Sequence, residues 1–182
     1  MNDLFIGLDL GAVHFGYAVL RADGTRESSG VWNLPTARSG QRWFALRAHL
    51  EALVSHWRLL GTMDVAYENV RRHEGVLAAH AYGGALAIVQ LVLSSFQVLA
   101  LVPLEVAEVK RAATGKGNAD KEWVQRAARA HWGEAAAATE DEADALWIAE
   151  VARRRAIPES LEAVEMAAPH SRGTVAQARS AD

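Results

Sequence analysis

Four carboxylates stand where chemistry could be done. Asp9 closes the strand-like run Leu4-Phe5-Ile6-Gly7-Leu8-Asp9, and Glu68 closes Met63-Asp64-Val65-Ala66-Tyr67-Glu68. Asp141 and Asp144 lie three apart in a stretch with helical spacing, so they share one helix face. Strand ends in an open α/β sheet are where ligands collect. Three or four carboxylates in one pocket cannot all stay ionised unless cations neutralise them. Mg²⁺ and Mn²⁺ are hard ions that prefer such oxygens and leave positions open for a phosphate. Two of them about 3.5–4 Å apart would activate a water and stabilise the leaving oxygen of an in-line phosphodiester displacement. Taken singly, each acid also has a plainer reading. Asp9 before Gly11 can end a strand and cap a turn, and acids at 140–150 can be a solvated face or partners of the helix dipole. Glu68 resists that reading, because Val65-Ala66-Tyr67 leads to it from a run of buried type.

The cations are as localised as the acids. The chain has three lysines, Lys110, Lys116 and Lys121, all within one short stretch. Gly115 and Gly117 let a backbone approach a phosphate closely, and the helix expected from Asp120 offers its N-terminus to an anion. The plain alternative is a solvated loop. A nucleotide-binding P-loop is excluded, since Gly115-Lys116-Gly117 lacks the G-x-x-x-x-G-K-[ST] spacing. Arg71, Arg72 and His73, just after the second acid, can stack on bases or grip phosphates; an exposed turn would account for them equally well. The net charge of −3 argues against a protein basic all over, so DNA binding would need a focused basic patch beside an acidic pocket.

Ile6-Gly7-Leu8-Asp9-Leu10-Gly11, Tyr67-Glu68-Asn69-Val70 and Asp141-Glu142-Ala143-Asp144-Ala145-Leu146 resemble the successive acidic motifs of the RuvC family of Holliday junction resolvases. Val109-Lys110-Arg111 and Thr114 to Lys121 match a further pattern of that family, and the resemblance covers roughly residues 4–153. It implies a ribonuclease H-like α/β fold, a mixed five-stranded sheet flanked by helices. It also implies Asp9, Glu68, Asp141 and Asp144 as catalytic metal ligands for two Mg²⁺ (or Mn²⁺) ions. Lys110 and Lys121 would contact DNA phosphates. The implied activity is symmetric nicking of four-way junctions by a homodimer, leaving 5′-phosphate and 3′-hydroxyl ends. One departure stands out: after the Glu motif many members carry a large apolar residue that wedges into the junction, and here Val70-Arg71-Arg72-His73 occupies that place. A broader branched-DNA nuclease therefore stays open; a non-catalytic junction-binding module is the further alternative, which loss of an acid would signal, yet all four are present. The first motif also resembles the phosphate motif of actin-like and sugar-kinase ATPases, but those need two such domains and a second Gly-rich motif, which this length does not hold.

The elements that must position these residues read in the order βββαβαβα(α)α, an α/β pattern. Strands are expected at Leu4–Asp9, around 17–20, through Val31-Trp32, at Met63–Glu68 and from Gln97 to Val102, where Pro103 would halt the last. Asp23-Gly24 signals a hairpin turn. Trp43, Leu46, Leu50, Leu53 and Trp57 recur at steps of three and four, which predicts a helix over 39–60. Further helices are expected over 75–95, from about Asp120, and over 140–154. The segment Ala85 to Leu93 is apolar nearly all round, so it should be buried on more than one side, against the sheet and against a second copy. His14 either approaches the acidic pocket or lies on the surface. Trp43, Trp57, Trp123, Trp132 and Trp147 fit helix core stripes better than a base-stacking platform.

At 182 residues and 51% hydrophobic, the chain suits one nuclease domain over residues 1–157 followed by a partly disordered tail over 158–182. It has no cysteine, which excludes disulfides, a thiolate nucleophile and zinc–thiolate sites. The richest apolar run, Ala85 to Phe96, is shorter than the ~20 residues of a bilayer span. With no secretion-signal pattern before Leu4, a cytoplasmic protein without membrane partners is expected.

Overall fold

β1 (Leu4–Asp9), β2 (His14–Arg21) and β3 (Arg26–Asn33) form an antiparallel meander in the computed structural model. Its first turn is tight because Gly11 N–H bonds Asp9 C=O at 2.9 Å, and its second uses Gly24 in the left-handed region at φ 86°. α1 (Ser39–Trp57) then crosses back, so that β4 (Met63–Glu68) lies parallel to β1 on its other edge. α2 (Val76–Ser95) leads to β5 (Leu101–Leu104), parallel to β4. The five strands run β3-β2-β1-β4-β5. α3 (Val106–Thr114), α4 (Lys121–Trp132) and α5 (Glu140–Ala156) complete the domain. The structure describes residues 3–36, 39–73, 75–98 and 100–157; the expectation for the tail from 158 lies outside them.

Period-two alternation sorts the central strands onto two cores. Leu4, Ile6 and Leu8 of β1 point toward α1 and α2, with Val65, Tyr67, Leu46, Leu50, Leu53, Val89 and Val92. Phe5 points the other way, with Ala18, Leu20, Ala66, Leu104 and the buried face of α5. Asp9 shares the parity of Phe5, and Glu68 that of Ala66, so both acids are directed to the α5 face. The expected α1 stripe is largely borne out: Leu46, Leu50, Leu53 and Trp57 are buried, and Trp43 packs at its margin.

Two expectations need correction. Pro103 does not halt the last strand; it lies inside β5, paired with Tyr67. Proline is tolerated there because β5 is an edge strand, where a missing N–H faces no partner. The strand starts later than expected because Gln97 turns the chain at φ 58°. Secondly, α2 over Val76–Ser95 is long and apolar enough, by length and composition, to cross a membrane, although the shorter run Ala85 to Phe96 had read as too short. Its Ala85, Val89, Val92 and Leu93 are buried in the α1–sheet core, which makes it a packed element of this fold.

Candidate active site

α5 reaches the strand ends because Gly7 and Gly16 leave no side chain beneath its backbone there. A Cβ on Gly7 would lie 2.1 Å from the Ala145 carbonyl oxygen and 2.5 Å from the Ala149 nitrogen. A Cβ on Gly16 would lie 2.2 Å from the Asp141 carbonyl oxygen and 3.2 Å from the Asp9 Cβ. Asp141, Ala145 and Ala149 are successive turns of one helix face, so two glycines and two alanines seat the helix backbone directly on β1 and β2. The start of α5 is pinned as well. Thr139 Oγ1 accepts from Glu142 N–H (3.2 Å), the Glu142 carboxylate accepts from Ala138 N–H (2.9 Å), and Ser29 Oγ of β3 donates to Glu142 (2.6 Å). Glu142 and Glu150 of this helix are buried structural acids, while Asp141 and Asp144 turn to the strand ends.

The result is a pocket of mutually repelling carboxylates. Asp9 is held well above the usual carboxylate range, first by burial and then by the charges of Asp144, Asp141 and Glu68. Burial and Asp144 push Glu68 up to about 7, against the opposing pull of Lys110 and Lys121. Asp144 rises to about 6, chiefly by burial, with Lys121 opposing and Asp141 adding to the rise. Lys121, at the head of α4, lies 4.0 Å from Asp144 and 3.6 Å from Glu140. Partial burial works against its charge, yet the field of Asp144, Asp9, Glu140 and Asp141 outweighs it and raises its pKa.

The donor type fits a hard divalent cation: these side chains offer carboxylate oxygens, and added positive charge would let them ionise together. Among the described residues no three acid or imidazole groups stand close enough together to hold a metal ion as they are placed here.

The other candidates divide. Lys110, on α3, is close enough to influence both Glu68 and Asp144. Lys116 is exposed on the α3–α4 loop, its ammonium 5.3 Å from the Trp123 ring. Arg71 is exposed and pairs with Glu105, Arg72 is exposed, and His73 packs on Tyr82 at 4.8 Å between ring centres. His14 is a surface residue that shares a 2.8 Å hydrogen bond with Asn33. Trp123 departs from the expected core stripe: it is 46% exposed, whereas Trp57 and Trp147 are buried. Tyr82 had drawn no attention in the sequence. Its hydroxyl donates to the Glu68 carbonyl (2.9 Å) and accepts from Val70 N–H (3.3 Å), which fixes the end of β4 from the α2 side. A polar-tipped aromatic in a mostly apolar helix was the available signal.

Acids clustered at the C-terminal ends of adjacent parallel strands β1 and β4, under a helix that brings two more, define a ribonuclease H-like nuclease. Residues 5–151 match the model of the crossover junction endodeoxyribonuclease RuvC family. A RuvC from Anaeromyxobacter dehalogenans is 33% identical over 153 residues, spanning 80% of this chain and 78% of that one. Among solved structures, Thermus thermophilus RuvC in complex with a Holliday junction substrate superposes with a TM-score of 0.69 at 24% identity, covering 80% of this chain and 90% of that one. The yeast mitochondrial Holliday junction resolvase superposes at 0.51 with 14% identity, covering 87% and 83%. The chain belongs to the RuvC family of crossover junction endodeoxyribonucleases.

Proposed function

We propose that the chain resolves four-way DNA junctions as a homodimer, each copy nicking one of two opposed strands at Asp9, Glu68, Asp141 and Asp144. The observation that carries this is the convergence of buried, mutually repelling carboxylates on the α5 face with Lys110 and Lys121 beside them. Bound there, Mg²⁺ or Mn²⁺, two ions per site, would supply Lewis acidity at the scissile phosphate and a more acidic attacking water. Asp9, on which burial and the charges of Asp144, Asp141 and Glu68 all act, would ionise and serve as a ligand once a cation is bound. Lys121 and Lys110 attract the phosphate and hold the cluster partly neutral until it arrives. Lys116, Arg71 and Arg72 offer cations, and His73 a ring, to the flanking DNA. The Thermus thermophilus relative's Holliday junction substrate supports branched DNA as the ligand class.

The dimer reading rests on α2. One side of this helix is buried, while Leu91 is 55% and Leu77 84% exposed. An outward apolar side on a core helix fits a second copy, and two copies place two sites against two strands.

The test is cleavage of a synthetic four-way junction with Mg²⁺ or Mn²⁺, beside duplex, splayed-arm and three-way DNA. Paired symmetric nicks confined to the four-way form are expected, and Asp9→Asn should abolish them while still binding the junction. Cleavage retained in Asp9→Asn would falsify the metal-ligand assignment. Equal cutting of all branched forms would favour a broader nuclease, a reading suggested by the exposed Arg71 and Arg72 at the place of an apolar wedge. Tight binding with no cutting would leave a junction-binding module.

A further inference from the structure

We propose that Trp123 and Lys116 form a stacking platform for an unpaired base of the strand next to the scissile phosphate, which makes the α3–α4 edge a selector for branched over intact DNA. The proposal rests on the nuclease reading above and adds to it a binding element that the acidic motifs do not include.

Six tryptophans are present, and five have packing work in the fold. Trp32 stacks with Phe15, Tyr17 and His49. Trp43 closes on Gly84 of α2, Trp57 lies in the α1 core, and Trp132 of α4 meets Trp147 of α5 edge to face. Trp123 alone among them stands in solvent, 46% exposed, while its neighbour Val124 supplies the buried contact at that turn. A large indole left in water is a cost that its own helix does not need.

The ring is held in place all the same. Asp120 caps α4 by accepting from the Trp123 N–H at 2.9 Å, which fixes the backbone of the first turn. Lys116 is ordered by its own N–H, which donates to Thr114 Oγ1 at 3.2 Å, and its ammonium lies 5.3 Å from the indole centre. An aromatic face with a cation beside it is the pairing that single-stranded nucleic acid uses, the ring for a base and the cation for a phosphate. In the free protein the ammonium rests on the ring; an arriving phosphate offers it a stronger partner and leaves the ring to the base.

Position ties the platform to the site. Lys121, two residues back on α4, lies 4.0 Å from Asp144; residues two apart leave a helix on different faces, so the ring flanks the site from the same turn and does not enter it. The exposed residues beside Trp123 on this helix are Lys121, Glu122 and Arg126, all charged. A lone aromatic among charges is not the contiguous apolar patch that a protein partner would cover. Bases within an intact duplex have both faces occupied, so the platform engages only strands that are unpaired or splayed, as at a branch point. It thereby offers a contact by an aromatic where the segment Arg71-Arg72-His73 carries no apolar wedge.

The experiment is equilibrium binding of the full chain to a labelled four-way junction and to the matching duplex in Ca²⁺, across a salt series. Trp123→Ala should weaken junction binding about tenfold, leave duplex binding and the salt slope unchanged, and melt as wild type does. Trp123→Phe should recover most of the loss. Lys116→Ala should make the salt slope shallower by about one phosphate contact. Intrinsic tryptophan emission should be quenched by the junction in wild type, and much less in Trp123→Phe. An equal loss on junction and duplex, or no loss at all, overturns the platform; so does a failure of phenylalanine to rescue. Wild type binding junction no better than duplex would instead overturn the junction reading, and the platform's selector role with it.

Discussion

Asp9, Glu68 and Asp144 hold protons more tightly than free acids do, since burial and neighbouring charge penalise their ionised forms. This has a consequence for stability, and its sign is fixed by linkage. A carboxyl whose folded pKa is raised stabilises the fold at low pH, and that contribution is lost as pH climbs through the folded value. Without divalent cation, the thermal midpoint should fall as pH rises from the ordinary carboxylate values, 3.8 for Asp144 and 4.5 for Glu68, to about 6 and about 7, where they ionise in the folded state, and level off above. Glu68→Gln should remove part of that fall. Mg²⁺ should raise the midpoint more above this window than below it, because ionised carboxylates bind it best. The check is a series of melts in chelator and in Mg²⁺, read as wild type minus Glu68→Gln. A difference that does not change across the window would show that these acids are not coupled through the pocket.

At the scale of elements, the placement of Asp141 and Asp144 depends on how flush α5 lies on the sheet. Gly16→Ala would drive a Cβ to 2.2 Å from the Asp141 carbonyl, against backbone rather than a yielding side chain. The first turn of α5 must then lift, and a misplacement on the order of 1 Å costs about a hundredfold in rate. Gly7→Ala acts farther from the acids, against Ala145 and Ala149. It should cost about 1–3 kcal/mol of stability as an overpacking change. Single-turnover cleavage and thermal melts of the two variants separate these effects, and a fully active Gly16→Ala would mean that α5 does not set the site. Much of this was legible in the sequence: the strand-end acids, the helical pair Asp141/Asp144 and the stripe on α1 follow from local periodicity. Less legible were the contacts made by residues distant in sequence. Nothing local announces that Gly16 must clear Asp141, that Tyr82 braces Glu68, or that Glu142 binds Ser29. Trp123 misled because the buried stripe of α4 runs through Val124 and Ala128, which leaves the indole beside it in solvent.

For the whole molecule, the two sides of the sheet divide the labour. α5, with α3 and α4 around it, brings the acids and lysines to one face, and α1 and α2 cover the other. α2 does so with apolar residues left over: Leu91 is 55% exposed although the same helix buries Val89, Val92 and Leu93. In the proposed dimer those residues face a second copy, and pairing the sites is what turns two independent nicks into resolution. Leu91→Glu places a charge on that outward side without touching the acids. It should shift the mass in sedimentation from dimer to monomer, with the fold and its melt retained. The monomer keeps Asp9, Glu68, Asp141 and Asp144 intact, so it should still nick a junction strand under single-site conditions. What it should lose is the pairing: the second nick on the opposed strand should arrive slowly and at random, so that nicked junctions accumulate in place of linear duplex products. A supercoiled cruciform plasmid reads this directly, because paired nicks linearise it within one encounter and a single nick relaxes it. If Leu91→Glu remained dimeric and still linearised the cruciform in one encounter, the second copy would have to sit on another face. If wild type were a monomer at every concentration and still made paired nicks, resolution by this chain would not depend on a dimer in solution.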